Sequence, residues 1–328
     1  MKAVTVTRFG DPDVLEVVDL PDPIPGPGQI SIEVSHAAVG LVDVYLRRGQ
    51  FKDQPGLPQP PYIPGLEVAG TVRALGDGVD TFRVGEPVVT LSASGDGGYA
   101  SVAVADAQLT ASLDGSTVDP ALAVSALPNA VTAHLALTRV AHLDKGEAVL
   151  VHGALGGLAS SFPGIARKLG AARVVGTVRR ASMPAAVASE LPYNRVVASE
   201  EFPESLEGEQ FDVVIDAVGG RLRTASLDVM APLGRMVLVG NASDEWDNSV
   251  DTNTLWAGSV GILGFSVGMY LPTHKEVGRP AAQTALKAIE DGLINIAVDE
   301  LPLEHAREAH RRIESGPVTG RIVLRPGA

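Results

Sequence analysis

A run of small residues between two apolar segments is the feature of this chain that points most directly to a chemistry. Residues 148–151 are apolar, residues 153–159 read Gly-Ala-Leu-Gly-Gly-Leu-Ala, and a helical segment then leads to a second apolar run at residues 174–178. In a βαβ unit of this kind the small turn lets the backbone come close to a pyrophosphate. The helix start offers N–H groups and a positive dipole end to the same anion. The sequence therefore predicts a nucleotide-binding site at this turn.

The turn departs from the usual G-x-G-x-x-G pattern, so an ordinary tight turn is the alternative interpretation. Ala154 and Ala159 stand where the first and third glycines are expected, and Pro163-Gly164 should kink or delay the helix. The flanking apolar runs, their spacing and the later alternation of strands and helices all favour nucleotide binding.

The end of the second apolar run indicates which coenzyme is bound. It reads Thr177-Val178-Arg179-Arg180, without a carboxylate. Proteins that use NAD usually place an Asp or Glu near this point to hold the ribose hydroxyls, whereas arginines suit the 2′-phosphate of NADP. We therefore predict NADPH as the cofactor, with Arg179 and Arg180 at its phosphate. The alternative is that the two arginines only begin a solvated helix.

Composition and charge exclude several classes of function. The chain has 328 residues, of which 45% are hydrophobic and 20% are charged, as expected for a globular protein of two domains or one large one. The net charge of −13 argues against nucleic acid and membrane surfaces as partners. No run approaches the roughly 20 apolar residues of a membrane span, and the first residues do not read as a signal peptide. We therefore expect a cytoplasmic location. The absence of cysteine excludes disulfides, a thiolate nucleophile and cysteine-based zinc sites.

The order of predicted elements indicates two kinds of structure. Short strand-like segments separated by Pro and Gly fill roughly the first third of the chain and predict a β-rich lobe. From about residue 119 onward, apolar runs alternate with helical segments, which predicts a parallel sheet with helices on both faces. Residues 321–324 return to strand. A nucleotide-binding domain inserted into a β-rich domain explains this order.

Eight short segments also occur in a characteristic order along the whole chain. They are residues 42–49 (VDVYLRRG), 63–70 (IPGLEVAG), 84–88 (VGEPV), 97–100 (GGYA), 150–159 (LVHGALGGLA), 211–220 (FDVVIDAVGG), 239–242 (VGNA) and 319–324 (TGRIVL). In this order and at this spacing they resemble the medium-chain dehydrogenase/reductase superfamily, in particular its zinc-independent quinone oxidoreductase (zeta-crystallin-like) branch.

The resemblance implies an α/β fold in which a Rossmann-type doubly wound parallel sheet domain is inserted in a GroES-like β-rich catalytic domain. We place the GroES-like substrate domain at residues 1–122, the Rossmann dinucleotide-binding domain at residues 123–266, and the return to the substrate domain at residues 267–328. Relatives often pair their last nucleotide-domain strands, here around residues 258–266, so we expect a homodimer.

The resemblance further implies a reductase that works without zinc. Leu66 stands where zinc-dependent relatives carry a ligand, and we predict no metal site. The implied substrates are already electrophilic, namely quinones and α,β-unsaturated ketones or aldehydes, which take a hydride from NADPH in a cleft between the lobes. Two alternatives stay open. One is an enoyl reductase of a single biosynthetic pathway, and the other is an NADPH-binding protein of low turnover with a crystallin-like or sensing role.

Tyr45 and Asp43 are the catalytic candidates that the resemblance implies. Tyr45 lies at the family position near the nicotinamide, where its hydroxyl could donate to the substrate oxygen as negative charge develops. A tyrosine packed at a loop edge is the alternative. For Asp43 we favour fixing of the local backbone over a role as a base. Gly40 stands where relatives commonly carry Asn, which removes one polar contact to substrate or cofactor.

The implied cofactor-binding set follows the nucleotide from its pyrophosphate to its nicotinamide. It consists of Gly156, Gly157 and Leu158 at the pyrophosphate, Thr177, Arg179 and Arg180 at the adenosine phosphate, Asn241, Phe265 and Val267 along the nicotinamide ribose and ring, and Thr132 beside the nicotinamide. Some members have an alternative: Asn241 serves equally well as a turn residue, and Phe265 reads better as core. We interpret His152 as a packed strand residue.

Overall fold

The computed structural model describes residues 1–91, 97–316 and 318–327. The chain divides into two compact units. The first, here called the β-rich unit, comprises residues 1–128, 268–286 and 296–328, and the second, the parallel-sheet unit, comprises residues 129–267 and 287–295. The boundaries predicted from the sequence, 122/123 and 266/267, differ slightly from this division. The sequence predicts the β-rich domain for residues 287–295, which this division groups with the parallel-sheet unit.

Regular elements alternate along the described part of the chain. The strands are β1 (Lys2–Val6), β2 (Leu15–Asp19), β3 (Gln29–Val39), β4 (Glu67–Leu75), β5 (Pro87–Thr90), β6 (Val102–Asp106), β7 (Thr110–Ser112), β8 (Ala148–His152), β9 (Arg173–Val178), β10 (Arg195–Ala198), β11 (Phe211–Asp216), β12 (Met230–Leu238), β13 (Gly261–Gly264), β14 (Val298–Pro302) and β15 (Arg321–Arg325). The α-helices are α1 (Leu41–Arg48), α2 (Pro120–Leu135), α3 (Phe162–Leu169), α4 (Met183–Ala188), α5 (Gly220–Ala225), α6 (Thr252–Gly258), α7 (Val267–Tyr270), α8 (Gly278–Glu290) and α9 (Ala306–Ser315).

The β-rich unit is organised around β3, its longest strand. This strand pairs antiparallel with β4, β6 and β15, within a sheet of order β14-β15-β3-β4-β5-β7. A separate antiparallel pair is formed by β1 and β2. Alternate residues of β3, such as Ile30 and Ile32, are fully buried and share one core with Tyr99 and Leu324. The C-terminal strand thus returns to the unit in which the chain begins, as its sequence predicts.

Helix α1, which the sequence did not predict, carries two of the candidate site residues. The backbone N–H of Gly40 donates to Asp43 Oδ2 at 2.8 Å and satisfies a donor at the start of the helix. Gly49 ends the helix in the left-handed region, with φ of 76°, which glycine adopts without a steric cost. The acidic residue in the first turn and Arg47 and Arg48 in the last turn complement the helix dipole.

The parallel-sheet unit holds six strands in the order β10-β9-β8-β11-β12-β13, and every pair is parallel. Buried residues such as Leu150, Val175 and Val214 come from three neighbouring strands and form one apolar cluster. This is the doubly wound arrangement that the βα alternation predicts.

Helix α3 begins later than the small-residue turn alone would suggest. A 3₁₀ turn at Ala159–Ser161 precedes it, and Pro163 occupies its first turn, where a missing N–H costs nothing. The delay that the sequence predicted for Pro163-Gly164 is therefore present. A Cβ at Gly164 would lie 2.3 Å from the carbonyl oxygen of Leu293, so this glycine lets the helix pack closely against the chain there.

One helical stretch, Pro120–Val140, is long and apolar enough to cross a membrane by length and composition. Because 83% of its most apolar window is buried inside the protein, it resembles a core helix, which passes the same test. The stretch is weak evidence for a membrane span. The cytoplasmic location and the absence of a membrane partner stay predictions.

Candidate functional site

The carboxyl edge of the parallel sheet is where the topology favours a ligand. The chain enters the sheet at β8, runs to β9 and β10 on one side, and then continues from β11 on the other side of β8. Ligands of doubly wound sheets bind at such a switch point, outside the carboxyl ends of the strands. The two strands at the switch point end at His152 and Asp216.

The turn after β8 is compact and presents one accessible face. Gly153 has a φ of 73°, and the N–H of Gly156 donates to the Gly153 carbonyl at 2.8 Å. Ala154 and Ala159 are buried, whereas residues 156–158 are half-buried. The two alanines in the glycine positions therefore pack inward. The three residues predicted to contact a pyrophosphate lie together on the accessible face.

Tyr193 supports this turn from the interior, a role that the sequence did not reveal. Its hydroxyl lies 3.1 Å from the carbonyl oxygen of Ala154 and 3.4 Å from that of Ala159. A Cβ at Gly176 of β9 would lie 2.6 Å from the Ala154 methyl and 3.1 Å from the Tyr193 ring. Only glycine fits at this point of β9, because the turn and the tyrosine already fill the space.

His152 ends β8 in a buried hydrogen-bonded layer. Its Nε2 lies 2.7 Å from Ser226 Oγ, and the Ser226 hydroxyl donates to the Leu222 carbonyl. The serine oxygen therefore accepts from Nε2–H, which leaves Nδ1 to accept from the Thr177 hydroxyl at 2.9 Å. Burial lowers the pKa of His152 to about 4, so the ring is neutral. His152 is a packed strand residue, as interpreted from the sequence.

Thr177 requires a correction to the cofactor set. Its side chain is fully buried, and its hydroxyl is used by His152. We therefore remove Thr177 from the residues proposed to touch the adenosine phosphate. Thr177 instead positions the carboxyl end of β9, which Arg179 and Arg180 directly follow in the chain.

Arg179 and Arg180 lie at the carboxyl end of β9 with exposed side chains. The N–H of Arg180 donates to both carboxylate oxygens of Glu200, at 3.1 and 2.9 Å, and Arg180 Nη2 donates to Glu201 Oε1 at 2.8 Å. The strand itself ends without a carboxylate, as its sequence shows, but two carboxylates from another segment of the chain lie at its end. The two glutamates lie just after β10, the strand that pairs with β9.

Asp216, at the end of β11, organises the other side of the switch point. Its Oδ1 accepts from the N–H groups of Val218 and Gly219 at 2.9 and 2.7 Å, and its Oδ2 accepts from Arg223 Nε at 2.6 Å. The carboxylate is fully buried. A buried carboxylate with three donors holds its loop firmly, since removing a partner leaves an unpaired charge. The signal was visible in the sequence as an acidic residue between an apolar run and two glycines.

Asn241 follows β12 and is used within its own turn. Its Nδ2 donates to the Glu245 carbonyl at 2.9 Å, and Arg223 Nη2 lies 3.5 Å from its Oδ1. A Cβ at Gly219 would lie 2.0 Å from the same oxygen, so the amide packs directly on that glycine. The geometry favours the turn interpretation. A contact between Asn241 and the nicotinamide ribose stays a prediction.

The remaining predicted nicotinamide contacts lie in three different settings. Phe265 is half-buried just beyond β13, and its N–H donates to the Leu238 carbonyl at 2.9 Å. Val267 is half-buried at the first position of α7, and Thr132 is buried on α2. Phe265 therefore lies at the carboxyl edge of the sheet rather than deep in its core. The role of each residue toward a nicotinamide stays a prediction.

Asp43 is a structural carboxylate of the β-rich unit. Besides the N–H of Gly40, it accepts from the N–H of Gly65 at 3.2 Å, and the Tyr99 hydroxyl lies 3.3 Å from its Oδ2. Burial raises the pKa of Asp43 to about 6, against the effect of these N–H donors. Because both oxygens accept from backbone donors, the geometry favours the fixing of the local backbone, which the sequence analysis preferred, over a role as a base. It fixes the start of α1 and the loop at residue 65.

Tyr45 lies on α1, two residues after Asp43. Its side chain is 8% exposed, and its ring meets the Phe51 ring edge-on, with centroids 6.1 Å apart. The ring is therefore packed against its neighbours, which the alternative interpretation also requires, and its contact with a substrate stays a prediction. A firmly placed phenol is the arrangement that donation of one directed hydrogen bond requires.

The segment that would carry a zinc ligand instead forms an internal ion pair. Glu67 pairs with Arg321 of β15, and Leu66 stands next to Glu67 in the chain, at the position that the sequence analysis compared with a zinc ligand of relatives. Burial raises the pKa of Glu67, and the charge of Arg321 opposes that shift. Within residues 1–91, 97–316 and 318–327, no three His, Asp or Glu side chains are grouped so that they could hold a metal ion.

Two family models match the chain. Residues 26–115 match the alcohol dehydrogenase GroES-like domain, and residues 192–324 match a model described as zinc-binding dehydrogenase. The quinone oxidoreductase of Sus scrofa is 32% identical over 333 residues, which cover 99% of this chain and 97% of the relative.

Solved structures agree with this match over the whole chain. A native mycobacterial quinone oxidoreductase is 34% identical, with a TM-score of 0.85, and the match covers 99% of this chain and 100% of the other. A mycobacterial protein solved in complex with NADPH is also 34% identical, with a TM-score of 0.88 and the same coverage.

Proposed function

We propose that this protein, which belongs to the quinone oxidoreductase branch of the zinc-independent medium-chain dehydrogenases and reductases, is an NADPH-dependent reductase of quinones or α,β-unsaturated carbonyl compounds. The coarser class, an oxidoreductase of the quinone oxidoreductase type with a nicotinamide cofactor, follows from the family. One observation carries the finer proposal: the accessible turn 156–158 lies at the switch point of the sheet, and exposed Arg179 lies at the end of the neighbouring strand. A relative of similar fold was solved with NADPH.

The parallel-sheet unit binds the phosphates in this proposal. The N–H groups of Gly157 and Leu158 donate to the pyrophosphate, because two of the three half-buried residues of the turn are glycines, which lack a side chain that would cover the backbone. Arg179 donates to the 2′-phosphate, since a guanidinium is suited to phosphate geometry. Asp216 holds the neighbouring loop through the N–H groups of Val218 and Gly219.

The β-rich unit supplies the hydrogen-bond donor to the substrate in this proposal, the hydroxyl of Tyr45. When bound, NADPH supplies the hydride for the electrophilic carbon. Tyr45 donates a hydrogen bond to the substrate oxygen, where negative charge accumulates as the carbon is reduced. Asp43 keeps Tyr45 in place by fixing the first turn of α1. Among the residues that the structure describes, no three His, Asp or Glu side chains are grouped to hold a metal ion, and the substrate in this proposal is one that is already electrophilic.

NADPH oxidation by the purified protein tests this function. With a panel of small quinones and enones, we expect saturable NADPH consumption with at least one acceptor, unchanged after treatment with a zinc chelator. NADPH binding without turnover on any acceptor would favour the low-turnover alternative. Stoichiometric zinc in the native protein, with activity lost on its removal, would contradict the proposal.

We also propose a homodimer that forms through β13. This strand lies at the end of the sheet order, and Leu233 and Trp256, both about four-fifths exposed at 79% and 82%, lie beside it. They line a depression of about 450 Å³ together with Gly261 of β13 itself. An exposed apolar strand edge favours association with a second strand.

Sedimentation velocity tests the dimer. We expect the unmodified protein to sediment as a dimer and Trp256→Glu to shift it toward monomer, since a charge would be buried at the interface. Val187→Glu, at an exposed apolar position of α4 in the same unit, is the control and should leave the dimer intact. A monomeric unmodified protein would rule the proposal out.

A further inference from the structure

Two acidic residues contact Arg180 at the end of β9, where the sequence predicts the contacts to a coenzyme phosphate. The Glu200 carboxylate accepts from the N–H of Arg180 with both oxygens, and Glu201 accepts from the Arg180 guanidinium at 2.8 Å. Neither glutamate lies on β9, whose end they reach. Both follow β10, and the pairing of Ala198 with Val178 brings the two strand ends together.

The segment that carries the two glutamates is held at both ends. Arg221 Nη2 donates to the Ser199 carbonyl and Nη1 donates to the Phe202 carbonyl, each at 2.6 Å. Phe202 is fully buried, and its ring packs edge-on against His152 with centroids 4.9 Å apart. The position of Glu200 and Glu201 is therefore built into the unit and does not depend on their own side-chain contacts.

The two arginines differ in what they offer to an anion. Glu201 neutralises the Arg180 guanidinium, whereas Arg179 makes no ion pair with any residue in the described part of the chain. The pKa of Glu200 lies below its ordinary range because its own N–H, and then that of Arg180, donate to the carboxylate. Glu200 is thus ionised at neutral pH, and it places a second negative charge at the strand end.

We propose that Glu200 and Glu201 set the coenzyme selectivity of this protein by limiting its preference for NADPH over NADH. Glu201 competes with the 2′-phosphate for the guanidinium of Arg180. Glu200 accepts from the N–H of Arg180, the first residue of the turn that follows β9, and this N–H is then not available to the phosphate. Arg179 is then the main donor to the 2′-phosphate. This inference rests on the proposed function, because it concerns the adenosine end of the same coenzyme site.

A charge-neutral variant of Glu201 tests the competition, with binding rather than turnover as the measurement. Glu201→Gln should strengthen NADPH binding about threefold, as expected for release of one exposed ion pair, and leave NADH binding unchanged. The fragments adenosine 2′,5′-bisphosphate and 5′-AMP should show the same contrast. Glu204→Gln removes the same charge from an exposed position two residues after Phe202. It should change the affinities for NADPH and NADH by less than about half of the effect of Glu201→Gln on NADPH.

The variants of the arginines make the test specific. Arg179→Ala should weaken NADPH binding about tenfold, the loss of a charged hydrogen bond, whereas Arg180→Ala should weaken it about twofold. In the Arg180→Ala background, Glu201→Gln should no longer strengthen NADPH binding, because the two side chains act through one contact.

Three outcomes overturn the inference. Glu201→Gln and Glu204→Gln could have equal effects, the gain could persist without Arg180, or Arg180→Ala could cost more than Arg179→Ala. Each of these would leave the proposed function standing, since NADPH would still bind. If the unmodified protein binds neither NADPH nor NADH, the proposed function fails and the inference fails with it.

Discussion

Gly156→Val is expected to weaken NADPH binding about 100-fold, the loss of most of the phosphate contacts at the turn. The half-buried face of residues 156–158 is where the backbone is proposed to meet the pyrophosphate. A valine side chain on that face would stand between the backbone N–H groups and the anion. The φ of Gly156 is not in the left-handed region, so the backbone itself tolerates a side chain. Calorimetric titration of the variant with NADPH measures the effect.

A loss of affinity in Gly156→Val reports on the turn only if the variant is still folded. A Cβ at Gly156 would lie 3.1 Å from the Gly153 carbonyl oxygen, a tight contact that costs some stability. Thermal unfolding should therefore show a cooperative transition at a somewhat lower temperature. Gly156→Ala is the graded control and should lose less affinity than the valine variant. Wild-type affinity in a folded Gly156→Val protein would remove the turn from the coenzyme site.

Tyr45→Phe is expected to lower kcat/KM for the best acceptor about tenfold or more, because one directed donor to the developing negative charge is lost. The ring and its edge contact with Phe51 stay, so packing in the β-rich unit should be preserved. NADPH affinity should not change, since the phosphate contacts belong to the other unit. Steady-state kinetics with saturating NADPH, together with calorimetric titration of the coenzyme, separate the two effects.

Tyr62→Phe is the matched control for this experiment. It removes the same atom from a tyrosine of the same unit, and the Tyr62 hydroxyl is buried without a hydrogen-bond partner in the described part of the chain. Its kcat/KM should stay within about twofold of the unmodified value, because a hydroxyl without a partner contributes no directed hydrogen bond. An unchanged rate in Tyr45→Phe would exclude Tyr45 from the mechanism, whereas equal losses in both variants would indicate a general effect on the unit.

The fold was predictable from the sequence where the periodicity of apolar residues agrees with the positions of glycine and proline between the predicted elements. Apolar runs separated by glycine turns predicted the parallel sheet, and the return of residues 321–324 to strand predicted the inserted arrangement. Helix α1 was missed because it is short, and its first turn depends on a side chain, Asp43, that also reaches Gly65. A contact between residues so distant in the chain leaves no local pattern.

The candidate site was predictable where its residues follow one another and not where neighbouring strands supply them. Residues 156–158 and Arg179 could be found from a strand, a turn and a strand end. Glu200 and Glu201 could not, since their position at Arg180 depends on the pairing of β10 with β9. The burial of Thr177 away from the coenzyme could not be predicted for the same reason, because its hydrogen-bond partner His152 lies on another strand.

The small-residue turn after His152 is proposed to bind a phosphorylated dinucleotide, and every other role proposed for the site depends on this binding. Isothermal titration calorimetry of the unmodified protein with NADPH tests it most directly. We expect saturable binding that is about 100-fold weaker in Gly156→Val and about tenfold weaker in Arg179→Ala. An unmodified, folded protein that gives no heat of binding with NADPH would contradict it.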